Sequence, residues 1–174
     1  MSTLTESELT QKMLATASKY LEVFAALDTS VIASIQTEDY LQEFAPASLN
    51  PPAPRTREHF TAHLRHLGGI LQSFPVRAKK MWPNPSLRQV VVWAESETVF
   101  HEEFKDSEDE EEWRYRGEYV FFLDMDERGE KIRRVLEFVD SKGTERLRGL
   151  MARAWKKKAK VEGTEAGEFT LFAK

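Results

Sequence analysis

Few side chains in this sequence have both the type and the setting to move protons, and the most conspicuous is Glu137. It interrupts the apolar run Val135-Leu136-Glu137-Phe138-Val139. A strand interior holds an ionisable group only where it faces water, meets a partner, or lines a cavity in which its charge acts. On a desolvated face the charged form is disfavoured, which raises the pKa of a carboxyl and suits it to general acid or base work. The plain alternative is a buried acceptor, bonded to Tyr119 or to an arginine. His63 is the second candidate, standing on the apolar stripe of a helix either as a bonded core residue or as a pocket acid or base. His59, His63 and His66 are spaced by four and three, as on a metal-binding helix face. No carboxylate cluster accompanies them, so no metal is expected. Tyr40 and Trp93 are candidate aromatic walls, although aromatic residues in a core are commoner than aromatic residues at a ligand.

The elements that must position these groups follow from hydrophobic period and punctuation. Thr5-Glu6-Ser7-Glu8 has the form of a capping box, and Leu9, Met13, Ala17, Tyr20, Leu21 and Phe24 recur at helical spacing, predicting a helix over 6–26. Asp28-Thr29-Ser30 reads as a new N-terminus for a short helix from Val31, with a restart over 38–44 that ends at Pro46 and "NPPAP". Thr56 caps a third helix whose stripe runs from Phe60 through His63 to Phe74, with Gly68-Gly69 a soft point and Pro75 the stop. Segments 76–82, 88–95, 97–104, 113–125 and 131–139 have strand character, and a helix over 142–158 precedes a tail to Lys174. Helices segregated from strands argue an α+β fold with an antiparallel sheet and a single domain. "DSEDEEE", 106–112, reads as a solvated loop between strands.

Turn chemistry assigns Glu137 a face. Glu127-Arg128-Gly129 fits a three-residue hairpin loop with glycine in the left-handed position, which pairs Asp126 with Glu130 and sets Tyr119 opposite Glu137 and Phe121 opposite Val135. Trp113, Tyr115, Gly117, Tyr119, Phe121 and Leu123 then share the aromatic face with Glu137, and Gly117 leaves space diagonally across from it. A four-residue loop would instead turn Glu137 toward Glu118. The other face carries Val120, Phe122, Leu136 and Phe138, an apolar patch that predicts a homodimer through the outer sheet.

Composition excludes several classes of function. With no cysteine among 174 residues, thiolate chemistry, cysteine zinc sites and disulfides are out. A formal charge of −4 gives no general attraction to nucleic acid or anionic lipid. No segment approaches the ~20 apolar residues of a membrane span, and "MSTLTESELTQKM" lacks a basic region followed by an apolar run, so a cytosolic (cytoplasmic) protein is expected. A glycine-rich phosphate loop, a GxSxG elbow and a Rossmann fingerprint are absent, which disfavours nucleotide, serine-hydrolase and nicotinamide chemistry.

The stretches "EFAPASLNPP", "TREHFTAHLRHL", "SFPV", "EYVFFLDMDERGEKI" and "RRVLEFVDS" come in an order and spacing that resembles the SnoaL-like polyketide cyclase group of the nuclear-transport-factor-2-like superfamily, especially its fungal members. The resemblance implies a cone-shaped α+β barrel, helices wrapped on a curved antiparallel sheet, with a concave pocket for a hydrophobic small molecule, commonly as a homodimer without metal or organic cofactor. It implies a cyclase, isomerase, dehydratase or hydrolase, or a non-catalytic binding module, since one fold hosts many chemistries. In the limonene epoxide hydrolase branch the last strand carries "RDYFD" with a catalytic acid first, and "LEFVD" places Glu137 there; the Arg and Asp partners of that branch have no counterpart near Val92 to Glu97. By similarity to scytalone dehydratase, Asp28 in "AALDTS" matches a catalytic Asp, while by position it also reads as a helix N-cap. The candidate set, from pattern and resemblance together, is Glu137, His63 and Asp28 for chemistry, with Tyr119, Tyr40, Trp93 and Phe121 around a hydrophobic polyketide- or terpenoid-like substrate.

Overall fold

Alternation of buried and exposed side chains builds the strands of this molecule into one curled sheet, described here over residues 4–167 of a computed structural model. The tail beyond 167 lies outside the described residues. The elements are α1 (Glu6–Ala26), α2 (Ile32–Ile35), β1 (Gln36–Ala45), β2 (Arg55–Thr56), α3 (Arg57–Gly68), β3 (Leu71–Ser73), β4 (Val76–Asn84), β5 (Gln89–Phe100), α4 (Glu110–Trp113), β6 (Tyr115–Met125), β7 (Ile132–Val139) and α5 (Ser141–Glu162). The sheet order is β2-β1-β7-β6-β5-β3, with β4 also on β5, and every pairing is antiparallel except β1 with β7. Helices cover the concave face, so the expected α+β cone is the architecture found.

Local chemistry explains where α1 and α3 begin. Thr5 and Glu8 close a reciprocal capping box, and the Thr56 hydroxyl accepts the His59 amide at 3.3 Å. Leu9, Met13, Ala17, Tyr20 and Phe24 of α1 are buried against the sheet. An aromatic cluster joins the layers: Tyr20 stacks on Phe60 of α3 at 6.0 Å and meets Phe121 of β6 edge-on at 6.0 Å.

Three expectations are corrected. Residues 38–44 are strand, not helix: Tyr40 and Gln42 point in while Leu41 is exposed. Tyr40 and Phe44 are four apart, a spacing that suits both a helix and a strand, and only the burial of Gln42 between them separates the two. The third helix ends at Gly68, so Leu71 to Ser73 form β3 against β5 rather than a last turn. Segments 88–95 and 97–104 are one strand, β5, followed by a short 3-10 turn at Glu102–Phe104.

The β6–β7 hairpin also departs from its expected count. Asp126 pairs with Lys131, its amide donating to the Lys131 carbonyl at 2.8 Å, and its carboxylate accepts the Glu130 and Lys131 amides, so the loop has four residues. Gly129 does take the left-handed conformation, at φ 67°. Beyond the loop, Met125 pairs with Ile132 but Asp124 with Arg134, a bulge that moves the register by one more residue. Either displacement alone would turn Glu137 outward, and the two together turn it back in. Tyr119 therefore pairs with Val139, and Phe121, not Tyr119, stands opposite Glu137.

Candidate functional site

Glu137 sits where three strands bring polar groups together beneath the helices. β7 carries it between Phe44 of β1 and Phe121 of β6. One residue pair along, Gln42 of β1 lies beside Arg55 of β2. Gln42 Nε2 donates to Glu137 Oε2 at 2.9 Å, and Glu137, Gln42 and Arg55 are 9%, 1% and 5% exposed. Arg55 also lies over the Phe44 ring, 5.1 Å from its centre. Burial pushes the Glu137 carboxyl up, the Arg55 charge and the Gln42 hydrogen bond pull it back, and the balance leaves its pKa at about 7. A carboxyl so placed exists in both protonation states near neutrality.

Tyr20 and Tyr40 close the inner side of this cluster. Both are fully buried and lie near Glu137, and burial leads the causes that push both hydroxyls up, so both stay protonated. They are close enough to influence each other, yet neither hydroxyl reaches hydrogen-bond geometry with a protein partner, and Gln42 Oε1 is likewise without one. Each of these oxygens can still bond an oxygen introduced beside Glu137.

Above the carboxyl is a cavity of about 50 Å³ with apolar walls. Phe24, Phe44, Phe60 and Phe74 supply aromatic walls, and Leu147 and Met151 of α5 close it. His63, Tyr119 and Thr144 reach it too. His63 has its pKa held well below the ordinary imidazole value by burial, then by the Arg55 charge and His66. It meets the cavity as a neutral ring.

The expected residues thus separate into two sets. Glu137, His63 and Tyr119 are brought to one cavity; Tyr40 and Phe121 lie in the packing around its floor. Asp28 is not brought there: it is exposed and its carboxylate accepts the Ser30 amide at 2.8 Å in a local turn, and it does not cap α2, whose N-cap is Val31. Trp93 is corrected as well, because it faces outward, 37% exposed, with its indole N–H donating to Glu118 at 2.8 Å and Lys79 over its ring. Nor does Gly117 open space beside Glu137; the Tyr115 and Tyr119 hydroxyls fill it. The three helix histidines diverge, His59 toward Thr56 and His66 against Trp155, and among the described residues no group of three or more His, Asp or Glu is placed to hold a metal.

Gln42 and Arg55 were missed. Reading residues 38–44 as a strand would have put Tyr40, Gln42 and Phe44 on one face, whereas Arg55 follows a proline-rich stretch and carries no local signal of burial.

Comparison with known proteins agrees with this architecture. No family model matches the chain. It is 28% identical over 131 residues to austinoid biosynthesis cluster protein H of Aspergillus calidoustus, covering 75% of this chain and 84% of the relative. The structure of AusH from Aspergillus nidulans matches with a TM-score of 0.62 and 27% identity, over 75% of this chain and 85% of the other. BvnE pinacolase from Penicillium brevicompactum matches with a TM-score of 0.71 and 22% identity, over 84% and 98%, a likeness of fold. By these relatives and its helix-covered cone, the chain is similar to fungal SnoaL-like proteins and has the nuclear-transport-factor-2-like α+β cone fold.

Proposed function

We propose that this chain is a cofactor-independent isomerase, cyclase or dehydratase that uses acid–base chemistry on a hydrophobic polyketide- or terpenoid-like molecule, working in the cytosol. The observation that carries the reading is the buried Glu137 carboxyl in a largely apolar cavity, bonded to Gln42 and balanced between its two protonation states. Such a group can give a proton to a departing or rearranging oxygen and take one from carbon in the same turnover. His63, neutral and on the same cavity, is the second partner, positioning the substrate or passing a proton between its ring nitrogens. The names of the relatives, an austinoid cluster protein and a pinacolase, support a role in fungal secondary metabolism.

The cavity is smaller than the ~300 Å³ at which ligand pockets of drug size begin. A polycyclic substrate therefore enters as Leu147 and Met151 of α5 move aside. The outer sheet face supports a homodimer: Trp82, Trp93 and Phe138 are 43%, 37% and 48% exposed, and Val120, Phe122 and Leu136 lie between them.

The test begins with a thermal-shift screen of hydrophobic polycyclic metabolites, since a ligand that prefers the native state raises its melting temperature. Turnover of a hit by the wild type, lowered about a hundredfold or more in a folded Glu137→Gln variant, is the expected result. Binding without turnover in the wild type would favour the alternative, a non-catalytic binding module of the same fold. Full turnover by Glu137→Gln would remove the carboxyl from the chemistry.

A further inference from the structure

The cavity touches a second buried polar group, and this one is built from hydroxyls alone. Ser96 of β5 and Tyr119 of β6 are 4% and 6% exposed, and their hydroxyl oxygens are 3.0 Å apart. Tyr115, 1% exposed, lies on the same face of β6, and its hydroxyl converges with that of Tyr119 over Gly117. Tyr119 and Thr144 both line the cavity that holds Glu137.

Gly117 is the reason these oxygens converge. It stands between Tyr115 and Tyr119 on the strand and pairs with Ser96. A Cβ at that position would lie 2.4 Å from the Tyr119 hydroxyl and 2.5 Å from that of Tyr115. The two rings thus fold over the glycine, and their oxygens occupy the volume of its missing side chain. Packing alone does not require this, because phenylalanine at either position would fill the core without burying an oxygen. The Ser96–Tyr119 link uses one of the two protons that this pair carries, so a hydroxyl proton remains to donate. No cation stands within the group, and the Asp140 and Glu137 charges act on Tyr115, which favours a neutral acceptor over an anion.

We propose that the Ser96, Tyr115, Tyr119 and Thr144 hydroxyls form a recognition site for a neutral carbonyl oxygen of the hydrophobic ligand, remote from the atom at which Glu137 acts, with Gly117 as the positioning residue. The inference rests on the cavity being a small-molecule site. It narrows the substrate to an apolar skeleton that carries a ketone or ester carbonyl besides its reacting centre. The carbonyl anchors the skeleton, and Glu137 meets the part left facing the floor.

Cyclohexanone labelled with carbon-13 at its carbonyl, followed by isotope-edited infrared spectroscopy, tests this without turnover. In the wild type the probe should bind saturably with its carbonyl stretch below the value in hexane. In Tyr119→Phe, which removes one oxygen and keeps the ring, binding should weaken about fivefold, the equivalent of one hydrogen bond, and the stretch should return toward the hexane value. Gly117→Ala should do the same if it folds, and Tyr119→Phe decides alone if it does not. A hexane-like stretch in the wild type, a lowered stretch that survives in Tyr119→Phe, or no saturable binding would each overturn the proposal. Loss of the acid–base role of Glu137 in a turnover assay would leave the probe result unchanged, so the two ideas fail separately.

Discussion

Replacing Glu137 with glutamine should flatten the pH dependence of stability between about 4.5 and 7. In the folded protein the carboxyl has its pKa raised from the ordinary 4.5 to about 7, with burial the leading cause. Below 4.5 the group is protonated in both folded and unfolded chains, and it costs nothing. Between the two values the folded state binds the proton that the unfolded state has lost, so stability falls as pH rises, and the loss is complete above 7. At about 1.4 kcal/mol for each pH interval of one, the wild type should lose about 3 kcal/mol across this window through this one group. Glutamine keeps an acceptor for Gln42 Nε2 and removes the titration. The low-pH offset between the proteins depends on how the amide packs beside Arg55, but the difference in slope does not. Urea unfolding at closely spaced pH values, wild type against Glu137→Gln, measures it, and other titrating groups cancel in the difference. Parallel curves from pH 4.5 to 8 would refute the reasoning and return Glu137 to an ordinary, solvated carboxylate.

Three further outcomes follow from other parts of the molecule. Arg55→Met removes the cation that lowers the Glu137 pKa, so the stability window should extend to higher pH; an unchanged upper limit would mean that Arg55 and Glu137 do not interact. Gly129→Ala should cost at least roughly 1–2 kcal/mol in urea unfolding, because φ is 67° and the new methyl would sit 2.7 Å from Met13 Cγ of α1. Phe138→Lys, on the outer sheet, should convert the proposed dimer to a folded monomer by light scattering, and a wild type that is already monomeric at high concentration would count against the interface.

How far the site could be read in advance depends on which physical signal each residue leaves. Glu137 was legible because one charge in an apolar strand is costly and therefore informative, and Tyr119 because alternation along β6 is long and regular. The pairing between them was not, since a four-residue loop and a bulge leave no compositional trace, and they cancel in their effect on facing. β1 was hidden by a spacing of four that serves either secondary structure, and with it went Gln42. Arg55 is buried by a two-residue strand whose existence depends on pairing with β1, a long-range fact that local sequence cannot hold. Trp93 illustrates the reverse error: aromatic character suggested a wall, while the register of β5, with Val92 and Ala94 buried on either side of it, sends its ring outward.

The most direct measurement on the free protein is a carbon-13 NMR titration of glutamate side-chain carboxyls, with Glu137 assigned by its absence from the Glu137→Gln spectrum. A resonance titrating near 7, and shifted to higher pH in Arg55→Met, is the expected result for a buried proton carrier held by Gln42 and Arg55. A Glu137 signal that titrates at or below the ordinary 4.5 would contradict it, because a carboxyl fully ionised at neutral pH could not serve as the acid.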